Sequence, residues 1–110
     1  MQFFNMSKIV DFVVIFDDDV RKRHYHETEK GNVKYFSVQL GIRTKDGWKV
    51  AVRYDSSHGF SHMDKYDRKG NQTKTKLNLG FKSALTYGDW DINENWLKYK
   101  REFLKKGSKQ

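Results

Sequence analysis

Val33-Lys34-Tyr35-Phe36-Ser37-Val38-Gln39-Leu40-Gly41-Ile42-Arg43 alternates between apolar and polar residues. Phe36, Val38, Leu40 and Ile42 fall on one side, with Ser37, Gln39 and Gly41 on the other. A period of two over this length predicts a half-buried strand. Trp48 to Asp55 repeats the pattern, with Trp48, Val50, Val52 and Tyr54 on one face. Two such runs separated by one short loop predict an antiparallel hairpin. The loop fixes its register. A two-residue Asp46-Gly47 turn sets Leu40 opposite Arg53 and throws the apolar faces out of phase. A three-residue Lys45-Asp46-Gly47 loop sets Thr44 opposite Trp48, Ile42 opposite Val50 and Leu40 opposite Val52. The longer loop is therefore expected, with Gly47 left-handed in a bulged turn. Tyr54 then pairs near Val38, and Arg53 points to the other side of the sheet.

Before the hairpin, Met1 to Lys8 is an irregular lead-in or a short edge. Ile9 to Phe16 is β-branched, aromatic and nearly continuous in apolar character, which predicts a buried strand. Asp17-Asp18-Asp19 ends it as a solvated turn. Their spacing lacks the separated ligands and glycine of a calcium loop. Arg21 to His26 alternates loosely and reads as an exposed edge strand, with His24 and His26 on one face. Gly31-Asn32 is a turn signal.

After the hairpin, Ser56-Ser57-His58-Gly59 forms a loop or bulge and Phe60 to Asp67 resumes as a strand. His62 and Asp64 share a face with Phe60 and Tyr66, and Met63 faces the other way. Arg68-Lys69-Gly70-Asn71 turns the chain into a polar edge strand, Gln72 to Asn78. From Phe81 to Lys106 the period becomes helical. Leu85, Gly88, Ile92, Trp96, Tyr99 and Phe103 form one apolar stripe. Gly88-Asp89 is a candidate break between two helices, with Asp89 or Asp91 capping the second. Gly107 stops the helix, and Ser108-Lys109-Gln110 frays. The expected fold is α+β: one domain over residues 1–110, with an antiparallel meander of four to six strands and a C-terminal helix across one face. The other face stays open.

The 110 residues contain neither cysteine nor proline. Disulfide frameworks, thiolate sites and Pro-rich linkers are thereby excluded. The N-terminal stretch lacks a basic n-region and is too short to span a bilayer, so a cytoplasmic protein with no membrane association is expected. The formal charge is +8. It is unevenly spread, with a net −1 over residues 1–32 and +9 over residues 33–110. That asymmetry predicts a polyanionic partner for the basic part.

The chemistry gathers in Arg53-Tyr54-Asp55-Ser56-Ser57-His58-Gly59-Phe60-Ser61-His62-Met63-Asp64. RNA cleavage without a metal needs a base for the 2′-hydroxyl, an acid for the leaving oxygen and a cation or donor for the phosphate. His58 and His62 suit the first two roles, and Arg53 or a lysine suits the third, with Tyr54 as donor. A bulge over Ser56 to Gly59 is what would bring the two rings together. A metal site on His58, His62 and Asp64 lacks a further ligand, and no cofactor is expected. Plain packing is the other reading, since Tyr54 is in phase with the core. Aromatics beside lysines on a sheet can also stack bases without catalysis. Tyr35, Phe60 and Tyr66, beside Lys34, Lys65 and Lys74, would serve.

The run Val52 to His62 fits a V-x-Y-D-x-x-H-G-x-x-H pattern. Together with the Gly70 turn and the helix bearing Trp96, it resembles small prokaryotic proteins that share that core. It is also similar, more loosely, to TumE-type toxins of toxin–antitoxin modules, although it lacks their dense His-His run. The resemblance covers Trp48 to Phe103. It implies a small toxin acting on RNA or translation and restrained by a cognate antitoxin. His58 and His62 match that motif, and Tyr54 and Asp55 match its strand end. The expectation is a basic, RNA-interacting, metal-independent endoribonuclease with His58, His62, Tyr54 and Asp55 as catalytic candidates. Arg53, Lys65, Lys74, Lys98, Lys100 and Arg101 are the nucleic-acid-binding candidates. The alternative is a non-enzymatic nucleic-acid-binding sheet, or an interaction module for an acidic protein.

Overall fold

The computed structural model describes residues 6–105. Six strands follow one another in space as they do in sequence: β1 (Ser7–Asp17), β2 (Val20–Glu29), β3 (Asn32–Thr44), β4 (Gly47–Asp55), β5 (His62–Tyr66) and β6 (Gln72–Lys76). All neighbours are antiparallel. A single helix, α1 (Phe81–Leu104), lies across one face of this meander. Among the described residues no helix is long and apolar enough to cross a membrane. The expected stop at Gly107 and the frayed tail lie outside the described residues, as does most of the Met1–Lys8 lead-in.

Core and alternation agree. Phe36, Val38, Leu40 and Ile42 of β3 are fully buried, beside Val52 and Tyr54 of β4. From α1 they meet Ala84, Leu85, Ile92, Tyr99 and Phe103. Gly80 is the N-cap of α1, and the helix runs unbroken through Gly88. The irregular residue is Asn95, at φ −121° and ψ 15°, not the Gly88-Asp89 pair. Gly88 stays helical because it is a contact point: a Cβ there would lie 2.6 Å from Cγ of Tyr54. Asp91 is not a cap either. It is buried and binds across to the sheet.

The hairpin register is a correction. The turn residues are Lys45-Asp46, and Thr44 pairs with Gly47. Thr44 closes the turn with its hydroxyl, which accepts from the Asp46 amide and donates to the Gly47 carbonyl. The extra residue is taken up inside the strand, where the register shifts at Leu40/Gly41 opposite Ala51. Beyond that bulge Leu40 pairs with Val52 and Val38 with Tyr54, as expected. Before it, Trp48 and Val50 pair with Arg43 and Gly41 and lie on the open face. Gly41 leaves room for the Trp48 ring, and the Arg21 guanidinium sits 3.9 Å from that ring's centroid. Gly47 has positive φ, which suits glycine.

Two expectations upstream change places. The apolar run of β1 predicts a buried strand, but β1 is one of the two sheet edges, with Ile9, Val13 and Ile15 half or more exposed. β2 was expected at an edge, but it is flanked by β1 and β3. Its Lys22 and His24 are buried toward the helix. The strand pattern reported β structure correctly in both cases. It could not report which strand has a neighbour on both sides.

Candidate functional site

Strand pleating sorts the central motif onto two faces. Tyr54 points to the helix. Asp55, one residue on, points to the open face, where it pairs with His62 of β5. Arg53 pairs with Asp64 on that same face. Gly59, with positive φ, turns the Ser56–Ser61 loop so that the chain re-enters the sheet at His62.

His62 is 1% exposed and Asp55 and Asp64 are each 3% exposed. Nε2 of His62 lies 2.7 Å from Oδ1 of Asp55 and 3.5 Å from Oδ2 of Asp64. Its Nδ1 lies 3.3 Å from the carbonyl oxygen of Phe60. A carbonyl can only accept, so Nδ1 carries a hydrogen and Nε2 is the atom turned toward the carboxylates. Asp55 Oδ1 also accepts from the amide and hydroxyl of Ser57. His58 is exposed, and its ring centroid is 5.2 Å from that of His62. The bulged loop therefore does bring the two histidines together.

Cations ring this corner without closing on it. Lys74 Nζ is 3.4 Å from Asp64 Oδ1. Arg53 Nε is 4.0 Å from Asp55 Oδ2. Asp64 Oδ1, Arg53 Nε and Ser61 Oγ are buried and have no hydrogen-bond partner. Lys76, which pairs with His62 across β5 and β6, holds its ammonium 5.2 Å from the Phe60 ring centroid. Asp55, His62 and Asp64 can each offer one ligand atom, all within 4.8 Å of one another. The further ligand missing from the His58-His62-Asp64 string is supplied by Asp55, and His58 stands outside the set.

A family model matches residues 6–109. The chain belongs to the DUF7718 family. That family is described as a domain of unknown function. No curated protein and no solved structure matches the chain.

In this DUF7718 chain the candidate residues divide. Asp55, His58 and His62 meet, with Arg53 and Lys74 beside them. Tyr54 is on the far face, where its hydroxyl donates to Asp91 Oδ2 at 2.6 Å. Burial and that carboxylate push its phenol far above the usual tyrosine range. Lys65 is also on the helix side, 3.0 Å from Glu102. Lys100 binds Asp19 at 3.1 Å, Lys98 lies over Tyr99, and Arg101 is exposed on the helix. The six basic candidates therefore do not form one surface.

Sequence reasoning missed a second polar cluster, on the helix side of β2. Lys22 Nζ, buried, donates at 2.6 Å to both Asp89 Oδ1 and Asn93 Oδ1. His24 Nδ1 is 3.0 Å from Asp89 Oδ1, and its Nε2 is 2.7 Å from Nδ1 of His26. Phe12 stacks on the His24 ring at 4.7 Å. Burial would raise the Asp89 carboxyl, but the bonds and charges of Lys22 and His24 outweigh it and hold it below the usual range. Burial, and then the charge of His24, lowers His26. The His24/His26 period-two spacing was the available signal, and its partners lie on a distant helix.

Proposed function

We propose that this chain engages RNA on its open sheet face and cleaves it there as a toxin-type endoribonuclease, restrained by a cognate acidic antitoxin. The observation that carries this reading is the exposed His58 ring 5.2 Å from buried His62, which is itself 2.7 Å from Asp55. An accessible imidazole beside an oriented histidine–carboxylate pair is the equipment for moving a proton off a 2′-hydroxyl. Both nitrogens of His62 are engaged, so His58 exchanges protons with the substrate. Asp55 and His62 set the field in which it does so. Arg53, Lys74 and Lys76 border the same corner and suit a phosphate.

The looser likeness of this region to TumE-type toxins, which share a strand, an aspartate-containing turn and a histidine cluster, supports the same reading. A second reading, binding without cleavage, has its own observation. Arg23, Tyr25, Glu27, Tyr35, Ser37 and Gln39 line a groove on this face, with the two tyrosine rings 5.9 Å apart and the Tyr25 hydroxyl donating to Glu27. Bases can stack on such rings. The test is incubation of purified protein with total cellular RNA beside a His58→Ala variant. Cleavage lost in the variant supports the enzyme. A salt-sensitive mobility shift without cleavage supports the binding sheet.

A further inference from the structure

We propose that Asp55, His62 and Asp64 form a divalent-cation site at the rim of the open face, taking a Mn²⁺-class ion. Three observations bear on it. First, the three side chains are all but fully buried, and their ligand atoms lie within 4.8 Å of one another. Neighbouring ligands around a small divalent ion sit about 3 Å apart. Modest side-chain rotations on rigid strand positions therefore suffice.

Second, His62 is prepared as a ligand. Its Nδ1–H is held by the Phe60 carbonyl, which turns Nε2 to the two carboxylates. An imidazole fixed through one nitrogen to a backbone carbonyl is the usual support for a metal-binding histidine. Nε2 and Asp55 Oδ1 at 2.7 Å are two acceptors by nature. A hydrogen or a cation must lie between them.

Third, Asp64 is 3% exposed, and its Oδ1 has no hydrogen bond. A buried carboxylate oxygen without a partner is costly. Its nearest cation, Lys74 Nζ at 3.4 Å, lacks hydrogen-bond geometry and sits on a 41% exposed side chain that can swing away. Two carboxylates and one neutral imidazole carry −2, which Lys74 at 3.4 Å and Arg53 at 4.0 Å offset only from the rim, so a divalent ion would take the place of the Lys74 ammonium. Oxygen-rich sets of this kind favour manganese or magnesium over softer metals, and the imidazole favours manganese of the two.

The cation site shares Asp55 and His62 with the proposed ribonuclease but does not rest on cleavage, and it is measured on the protein alone so that its failure and the failure of that reading are distinguishable. The experiment is calorimetric titration of EDTA-treated, dialysed full chain with MnCl₂, paralleled by loss of the free-Mn²⁺ electron paramagnetic resonance signal. One equivalent is expected to bind and to raise the melting temperature. Asp64→Asn should weaken binding tenfold or more. Asp89→Asn removes the same charge on the helix side and should leave binding unchanged. Lys74→Met, which removes the competing ammonium, should tighten it. Tightening by Lys74→Met is outside the reach of a purely structural Asp64, and it decides the matter if Asp64→Asn does not fold. Absence of binding, or binding indifferent to both Asp64→Asn and Lys74→Met, would overturn the site.

Discussion

The Tyr54 hydroxyl lies 2.6 Å from Oδ2 of Asp91, thirty-seven residues further along the chain and on the facing element. Tyr99 donates to the same oxygen at 2.6 Å, and Asn95 donates to Oδ1 at 2.7 Å. Asp91 is a buried carboxylate satisfied by three donors, and it fastens α1 to β4. The tyrosine next to the candidate site is therefore a structural bolt and not a member of the site.

Tyr54→Phe should accordingly cost stability and spare function. Losing one donor to a buried carboxylate costs about 1–3 kcal/mol. Chemical denaturation measures it, and any RNA cleavage or binding should persist under native conditions. A loss of activity at full foldedness would return Tyr54 to the site.

The same residues give an alkaline prediction. Tyr54 and Tyr99 are both raised from the ordinary value of 10.0, first by burial and then by the Asp91 hydrogen bond. A group raised on folding stabilises the protein below its unfolded pKa and loses that contribution as pH rises. Stability should fall above about pH 10, with phenolate absorbance from these two rings appearing only as the chain unfolds.

Gly88→Ala tests the helix–sheet contact. In a solvent-exposed helix this change stabilises by about 1 kcal/mol. Here the new Cβ would sit 2.6–2.9 Å from Tyr54 Cγ, Cβ and Cδ1, near the root of a rigid buried side chain. A net destabilisation of about 1–3 kcal/mol is expected from overpacking. An unchanged or raised melting temperature would contradict that close contact.

The Lys22–His24–His26–Asp89 cluster predicts acid sensitivity. His26 is lowered from 6.5, so it favours the folded state in its neutral form. Its contribution is complete above about pH 6.5 and is lost as pH falls below that. Asp89, held below 3.8, adds a second loss at more acidic pH. The melting temperature should drop between pH 7.5 and pH 5, and the drop should shrink in His26→Gln. An equal drop in the variant would assign it elsewhere.

Two sides of the molecule carry basic candidates, and salt dependence separates them. If RNA lies on the open face, Lys74→Ala and Arg53→Ala each lower the salt slope of binding by about 0.7. Lys98→Ala, Lys100→Ala and Arg101→Ala should then leave it nearly unchanged. The reverse pattern would move the interface to the helix.

A period of two made β3, β4 and their order legible and gave the buried side of β3 and of Val52 and Tyr54, but it put Trp48 and Val50 on the wrong face. Position within the sheet was not legible. An apolar run such as Ile9 to Phe16 looks the same whether its faces are covered or bare, and β1 ends as an edge. Lys22 and His24 looked like solvated residues because their partners, Asp89 and Asn93, arrive from a helix more than sixty residues away. At the site, the motif put Asp55, His58 and His62 close in sequence, and the loop conformation and the β4–β5 pairing are what bring them together in space. Alternation alone separates Tyr54 from Asp55, since adjacent strand residues face opposite ways. Asp64 was visible as a companion of His62, and its role beside Asp55 needed the β4–β5 register.

The most direct test of the account is end analysis of RNA incubated with the purified wild-type chain, beside His58→Ala and beside the all-2′-deoxy version of the same oligonucleotide. The account predicts cleavage that depends on the 2′-hydroxyl, leaves the deoxy strand intact and is lost in His58→Ala. Cleavage of both strands alike, or undiminished cleavage by a folded His58→Ala variant, would contradict it.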